Sequence, residues 1–121
     1  MVDRQNQGKT APNRRSRERV KAEKLPPGMR EFRLEFGPKD VYKGTTIDAS
    51  LTGISFLVEV PSNRIHEHIV KLISDDKKIT MTQELVYIKA LDETHSRISL
   101  LFEKGSTPQL YRNEVGNALR R

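Results

Sequence analysis

Short runs in which apolar and polar residues alternate are the feature that most constrains the fold of this chain. Residues 31–36 place Phe32, Leu34 and Phe36 between charged residues, and residues 54–60 repeat the same period of two. Successive side chains of a β-strand point to opposite faces, so this pattern indicates strands with one buried face. A chain built from such runs is expected to form a sheet that covers a single core.

Six strand-like segments, the two alternating runs among them, are separated by polar turns. Gly, Pro, Asn, Asp and Ser cluster between the segments, and these residue types favour turns. The length of 121 residues fits one domain with tails. Short strands joined by turns are typical of a barrel or a sandwich, and the chain is therefore expected to be mainly all-β. The predicted strands are 31–36, 41–48, 54–60, 69–73, 80–91 and 97–103.

A C-terminal α-helix is predicted over residues 106–121. Ser106 or Thr107 can cap its N-terminus, and Pro108 then occupies its first position. An apolar stripe on a helix packs against a core or against a partner, and we expect this one to close one end of the β-structure. The stripe comprises Leu110, Val115, Ala118 and Leu119, with Tyr111 near its edge.

Most of the net charge lies near the N-terminus. The chain has a formal net charge of +6, and residues 1–24 contribute +5 of it through eight basic and three acidic residues. A basic, apolar-poor arm indicates an anionic partner, which can be a nucleotide, a nucleic acid or an acidic protein surface. Residues 1–12 lack any period and are expected to be disordered, and the arm itself is predicted over residues 13–28.

Several kinds of chemistry find no support in the sequence. The chain has no cysteine, so disulfides and thiolate metal sites are excluded. His66 and His68 have no third candidate ligand nearby, and no metal or cofactor is predicted. No nucleophile stands in a recognisable pattern with a base, so we expect no enzyme. Without a membrane-length apolar run or a secretory signal, the protein is expected to be cytoplasmic.

A polar corner joins the second and third predicted strands. Asp48 supplies acceptor oxygens, Ser50 a hydroxyl, and Gly53 a residue that permits a positive φ or a close approach of the backbone. A simple turn between two strands also accounts for these residue types. Upstream, four arginines fall within residues 14–19. Guanidinium groups bind phosphate, stack on flat rings and pair with guanine, so this cluster and the corner together can hold a guanine nucleotide.

In their order and spacing, these two elements resemble the signature of the PilZ domain family. Arg15 and Arg19 match R-x-x-x-R, and Asp48, Ser50 and Gly53 match the [DN]-x-S-x-x-G that follows about thirty residues later. The resemblance covers most of the chain, and it implies a bacterial receptor for the second messenger cyclic diguanylate (c-di-GMP).

The implied fold is a small six-stranded antiparallel β-barrel over residues 29–104, with a flexible basic N-terminal arm and the C-terminal helix. At Ser99 the chain departs from PilZ barrels, which often have glycine there.

The resemblance also implies roles for the motif residues. Arg15 and Arg19 would contact phosphate and guanine, and Asp48 would accept hydrogen bonds from guanine N1–H and N2–H. Ser50 would bond to a phosphate or a base, and Gly53 would let the backbone come close to the ligand. Ligand binding would order the arm, and the receptor would then pass its signal to a protein partner.

Arg14 stands directly before the R-x-x-x-R motif. An arginine at this position resembles family members that bind the ligand as an intercalated pair.

Two other functions remain open. A basic β-barrel can bind RNA or single-stranded DNA, but such proteins display aromatic residues for stacking, and Phe32, Phe36 and Phe56 are predicted to face inward. The chain can also act as a nucleotide-independent adaptor for another protein.

Overall fold

The computed structural model of the protein describes residues 18–120. Within that range the chain forms seven β-strands and one α-helix, and every strand pairing is antiparallel. The elements are β1 (Val20–Lys21), β2 (Glu31–Glu35), β3 (Val41–Ala49), β4 (Gly53–Val58), β5 (Ile69–Ser74), β6 (Thr80–Ala90), β7 (Ser96–Leu101) and α1 (Gln109–Leu119).

Six of the strands form a closed barrel. The ring runs β3–β2–β5–β6–β7–β4, and the pairing of β4 with β3 closes it. This arrangement confirms the predicted six-stranded antiparallel barrel, and each predicted strand lies within two residues of an observed one at both ends. The additional strand, β1, pairs with the outer end of β3 and places Val20 opposite Ala49.

The barrel encloses the apolar residues that the alternating pattern had placed on one face. Phe32 and Phe56 are buried and meet edge to face, with ring centroids 5.3 Å apart. Phe36 is buried as well, so the three phenylalanines face inward as predicted. Removal of this apolar surface from water is the main favourable contribution to folding, which explains why the period of two predicted the strands.

The second half of the predicted arm packs against the barrel. From Glu18 onward the arm is described, and both Val20 and Leu25 are buried. The Arg30 guanidinium donates hydrogen bonds to the backbone carbonyls of Leu25 and Glu23, at 3.0 Å each. Residues 13–17 of the predicted arm, and the predicted disordered tail 1–12, lie outside the described residues.

The C-terminal helix begins three residues later than predicted. Pro108 occupies the N-cap, and no side chain caps the helix. Ser106 is unavailable as a cap because its hydroxyl donates to the Glu103 carbonyl oxygen and accepts from the Gln83 side-chain amide at 2.8 Å. These bonds hold the segment before α1 against β6.

The buried face of α1 belongs to the barrel core, as expected. Tyr111, Val115 and Ala118 are buried in the same apolar cluster as the strands. The placement of Tyr111 near the edge of the stripe was wrong, because this ring is fully buried while Leu110 is 36% exposed. Over residues 18–120, no helix has the length and apolar character needed to cross a membrane.

Candidate functional site

A β-bulge in β3 directs the Asp48 side chain to the outside of the barrel. Thr46 and Asp48 are two residues apart, and a regular strand would place both on the same face. Thr46 is buried opposite Phe56, whereas Asp48 lies opposite Ser55, the very next position of β4. The register shift adds one residue to β3, and a bulge of this kind re-aims the side chains that follow it.

Arg19 contacts Asp48 on this outer face. Its Nε donates to Asp48 Oδ1 at 2.7 Å, and its Nη2 donates to the Ser55 hydroxyl at 3.3 Å. Pairing of β1 with β3 fixes the backbone here, because the neighbouring Val20 is buried opposite Ala49. The second arginine of the R-x-x-x-R motif therefore lies in direct contact with the aspartate of the second motif.

Two residues of β7 complete this face, and sequence reasoning assigned neither of them to the site. Arg97 Nη2 lies 3.7 Å from Asp48 Oδ2, so the carboxylate has a guanidinium group on each side. Ser99 lies opposite Ser55, with the two hydroxyl oxygens 2.8 Å apart. Alternation with the buried Ile98 indicates that both residues point outward, but the pairing of β7 with β4 cannot be derived from that pattern.

Asp48 retains an acceptor for a ligand. No residue in the range 18–120 donates a hydrogen bond to Asp48 Oδ2. The nearest guanidinium nitrogen, Arg97 Nη2, lies 3.7 Å away, which is too far for a hydrogen bond. The side chains of Arg19 and Arg97 are each 40% exposed, and that of Asp48 is 20% exposed. A reachable carboxylate between two guanidinium groups suits a ligand that presents both N–H donors and anionic oxygens.

The Ser50 side chain lies inside the corner. Ser50 is fully buried, and its Oγ accepts from the backbone N–H of Thr52 at 3.1 Å. Its own backbone N–H donates to the Gly53 carbonyl oxygen at 2.8 Å. These bonds are typical of a polar turn between two strands, which the sequence analysis had kept as the alternative to a ligand site. The contact of Ser50 with a ligand stays a prediction.

Gly53 lets β4 lie close to β7. Its φ is not positive, since in the described part of the chain Gly105 alone among the glycines has a positive φ. A Cβ atom at Gly53 would lie only 2.7 Å from the carbonyl oxygen of Leu100. The sequence suggested that Gly53 allows either a positive φ or a close approach of the backbone. The structure shows a close approach, and the backbone of Gly53 approaches the neighbouring strand β7. The approach of Gly53 to a ligand stays a prediction.

A buried hydrogen bond ties α1 to the corner. The Tyr111 hydroxyl donates to the Ser50 carbonyl oxygen at 2.9 Å and lies 3.4 Å from that of Gly53. Burial raises the pKa of this hydroxyl well above its usual range. The positive charge of Arg19 lowers the same pKa and the negative charge of Asp48 raises it, and burial outweighs both.

Arg14 and Arg15 lie outside the described residues, and their predicted contacts stay predictions. A groove of about 490 Å³ adjoins the corner, and the residues that line it are Glu18, Leu51, Gly116, Leu119 and Arg120. Among residues 18–120, no three His, Asp or Glu side chains are grouped as a metal site would require.

The fold has a counterpart among solved structures. A crystal structure of the Borreliella burgdorferi PlzA protein in complex with c-di-GMP matches this chain with a TM-score of 0.64 and 17% sequence identity. The match covers 98% of this chain and 46% of that one, so this chain spans about half the length of the protein that it matches. No protein-family model and no curated protein matches the chain. At this identity the comparison establishes similarity of fold.

Proposed function

We propose that the protein is a PilZ-type receptor that binds c-di-GMP on the outer barrel face around Asp48. The supporting observation is the contact between Arg19 and Asp48 at 2.7 Å, which joins the two parts of the signature on a reachable surface. The similarity of fold to PlzA, which was crystallised with c-di-GMP, agrees with this proposal.

Asp48 would recognise the guanine base. Its Oδ2, which receives no hydrogen bond from residues 18–120, would accept one N–H of the guanine edge, and Oδ1 would accept the second as Arg19 moves aside. Adenine lacks an N1–H donor, and a site that depends on such a donor rejects the base without it. The site should therefore prefer c-di-GMP to cyclic diadenylate.

The arginines would bind the phosphates and cover the base. Arg19 and Arg97 already stand on either side of Asp48, and a guanidinium group can bind a phosphate bidentately or stack on a base plane. Arg15 would add a second cation from the same motif. Arg14 would bridge to a second ligand molecule. The number of ligand molecules bound per chain therefore tests the role of Arg14.

Binding would transmit a signal without chemistry. Residues 13–17 of the arm would become ordered over the ligand, and the cost of that ordering would lower the measured affinity. We propose that the protein is a non-enzymatic, cytoplasmic adaptor that presents its ordered arm or helix to a protein partner.

Isothermal titration of the full chain tests the proposal. The ligands are c-di-GMP, cyclic diadenylate, GTP and a short single-stranded RNA, and the variants are Arg15→Ala and Asp48→Ala. Loss of a guanine contact should weaken binding by about 1–3 kcal/mol, which is roughly fivefold to more than a hundredfold. The matched control is Arg33→Ala, because Arg33 is an exposed arginine paired with Glu35 at 2.9 Å, and it lies opposite Lys43, five residues along β3 from Asp48.

The expected result is saturable binding of c-di-GMP alone, weakened in Arg15→Ala and Asp48→Ala and unchanged in Arg33→Ala. A ratio of two ligands per chain would support the role given to Arg14, and a ratio of one would remove it. If titration with c-di-GMP gives no binding heat, the receptor proposal is wrong. Binding of the RNA instead would favour the alternative of a nucleic-acid-binding barrel.

A further inference from the structure

The most exposed large apolar and aromatic side chains of residues 18–120 lie on one flank of the barrel. Five of them, in β5, β6 and β7 or directly after β6, are from 48% to 57% exposed: Ile69, Val86, Tyr87, Leu91 and Leu101. Every other large apolar side chain in this range is at most 37% exposed. Apolar surface that gathers in one region and has a polar rim marks an interaction site.

A β-bulge in β6 produces the centre of this surface. Leu85 is buried opposite Leu100, and Tyr87 lies opposite Ser99, the very next position of β7, so Val86 has no partner in β7. A regular strand would turn Tyr87 inward together with Leu85. The extra residue instead leaves Val86 and Tyr87 next to each other, and each is about half exposed.

Further apolar side chains lie beside the bulge on the neighbouring strands. Glu84 lies opposite Ile69 of β5 and opposite Leu101 of β7. Residues directly opposite in antiparallel strands share a face, so Ile69 and Leu101 flank Glu84 on the outside of the barrel. We call the surface formed by Ile69, Val86, Tyr87 and Leu101 the β6 face.

The charges on β6 are arranged symmetrically about the bulge. Glu84 precedes Val86 by two residues, and Lys89 follows Tyr87 by two residues and lies opposite the outward Arg97. Glu84 and Lys89 are exposed, and neither forms an ion pair with any residue from 18 to 120. Without the extra residue of the bulge, Lys89 would turn inward. The bulge thus places opposite charges on the two sides of an apolar centre.

A second copy of the same chain is complementary to this arrangement. In a twofold-symmetric dimer, a contact of residue i with residue j is repeated as a contact of j with i. If two β6 strands face each other in antiparallel directions about an axis at the bulge, Val86 meets Tyr87 of the second copy. Glu84 then meets Lys89 of the second copy, and each contact occurs twice. Residues 1–17 do not suit this surface, because Met1 and Val2 are their only large apolar residues.

From this geometry we propose that the protein associates with a second copy of itself through the β6 face. β6 is three strands from β3 in either direction round the ring, so the β6 face and Asp48 lie on opposite sides of the barrel. The inference therefore does not depend on the proposed binding of c-di-GMP. A stable interface uses about 20–30 residues a side, and this smaller face should give a dissociation constant of about micromolar or weaker.

The test is sedimentation velocity of the full chain from about 10 μM to about 500 μM, a range that covers such an affinity. Glu84→Lys alone and Lys89→Glu alone place like charges opposite each other, and each should weaken self-association about tenfold or more. An equal mixture of the two variants should associate like the original protein, because every charge then faces its opposite. The matched control is Lys39→Glu, which makes the same change of charge at an exposed site between β2 and β3.

Tyr87→Ala should also weaken self-association about tenfold or more, because it removes the aromatic side chain at the centre of the interface. Thermal unfolding of each variant should match that of the original protein, since all of the substituted side chains are exposed. A chain that stays monomeric at about 500 μM would overturn the proposal and leave the β6 face to a different partner. Two single variants that associate as the original does, or a mixture of them that stays monomeric, would overturn it as well.

Discussion

At the scale of single residues, Gly53 is required by packing. Its backbone has no positive φ, so the left-handed conformation that often selects glycine is not involved. The limiting contact is with the Leu100 carbonyl oxygen, 2.7 Å from where a Cβ would stand, and that oxygen belongs to the backbone of β7. A backbone atom in a paired strand cannot move aside as a flexible side chain can.

Gly53→Ala should therefore destabilise the protein by about 1–3 kcal/mol, the usual cost of forcing extra volume into a packed site. Urea denaturation measures the change. Gly116→Ala is the matched control, because its Cβ would meet only Arg120 Nη1 at 3.6 Å, and the substitution lies within a helix. The control should be neutral or stabilising by about 0.4–1 kcal/mol. A Gly53→Ala protein as stable as the original would contradict the packing explanation.

At the scale of elements, α1 supports the corner between β3 and β4 through Tyr111. The ring packs edge to face on Phe102, with centroids 5.2 Å apart, and the hydroxyl reaches the Ser50 carbonyl oxygen. The helix therefore contributes both apolar surface and a specific hydrogen bond to the segment behind the candidate site. A change in the corner on ligand binding would be felt directly at this helix.

Tyr111→Phe should lower the free energy of unfolding by about 1–2 kcal/mol, because a buried carbonyl oxygen loses its partner. The folded-state pKa of Tyr111 is raised above the ordinary value of 10.0. The protonated hydroxyl therefore makes its full contribution to the free energy of unfolding below pH 10, and this contribution is lost as the pH rises further. Urea denaturation at neutral pH and above pH 10 should show that the difference in stability between the original protein and Tyr111→Phe becomes smaller at the higher pH.

The matched control for this prediction is Tyr42→Phe. Tyr42 is partly buried against Phe36, and its hydroxyl donates no hydrogen bond to residues 18–120. This substitution should change stability by less than about 0.5 kcal/mol. Equal losses for the two variants would show that the Tyr111 hydrogen bond contributes nothing specific.

At the scale of the whole molecule, the basic N-terminal segment reaches the candidate site through Arg19. Residues 1–24 contribute +5 of the net +6, and the described part of this segment leads through Arg19 to Asp48. A nearly neutral barrel that carries a basic N-terminal segment should attract an anionic ligand by long-range electrostatics. Such attraction depends on ionic strength.

Binding of c-di-GMP should therefore weaken several-fold between about 0.1 M and 1 M salt, because the Debye length falls from about 10 Å to about 3 Å. Titration at both salt concentrations measures the effect. An Arg14→Ala, Arg15→Ala double variant should show a smaller salt dependence, whereas a Lys39→Ala, Lys104→Ala control should keep the original one. Affinity that does not change with salt would contradict electrostatic attraction by the arm.

Local pattern was sufficient to predict the strands and the helix. Alternation located the strands at residues 31–36 and 54–60, because burial of one face requires it, and strand-forming residues bounded by polar turns located the other four. The start of α1 was less predictable, because Ser106 has the right chemistry for a cap but bonds to Gln83 instead. Gln83 lies 23 residues before Ser106, and no local pattern reports a contact of that kind.

Residue types and their spacing were enough to predict which residues could hold a guanine nucleotide and in which strands and turns they lie. The contacts between strands establish which residues meet on one surface. A one-residue register shift turns Asp48 outward, and the pairing of β4 with β7 brings Arg97 beside Asp48. The physical reason is that a bulge and a strand pairing depend on the partner strand, whereas alternation depends on the strand alone.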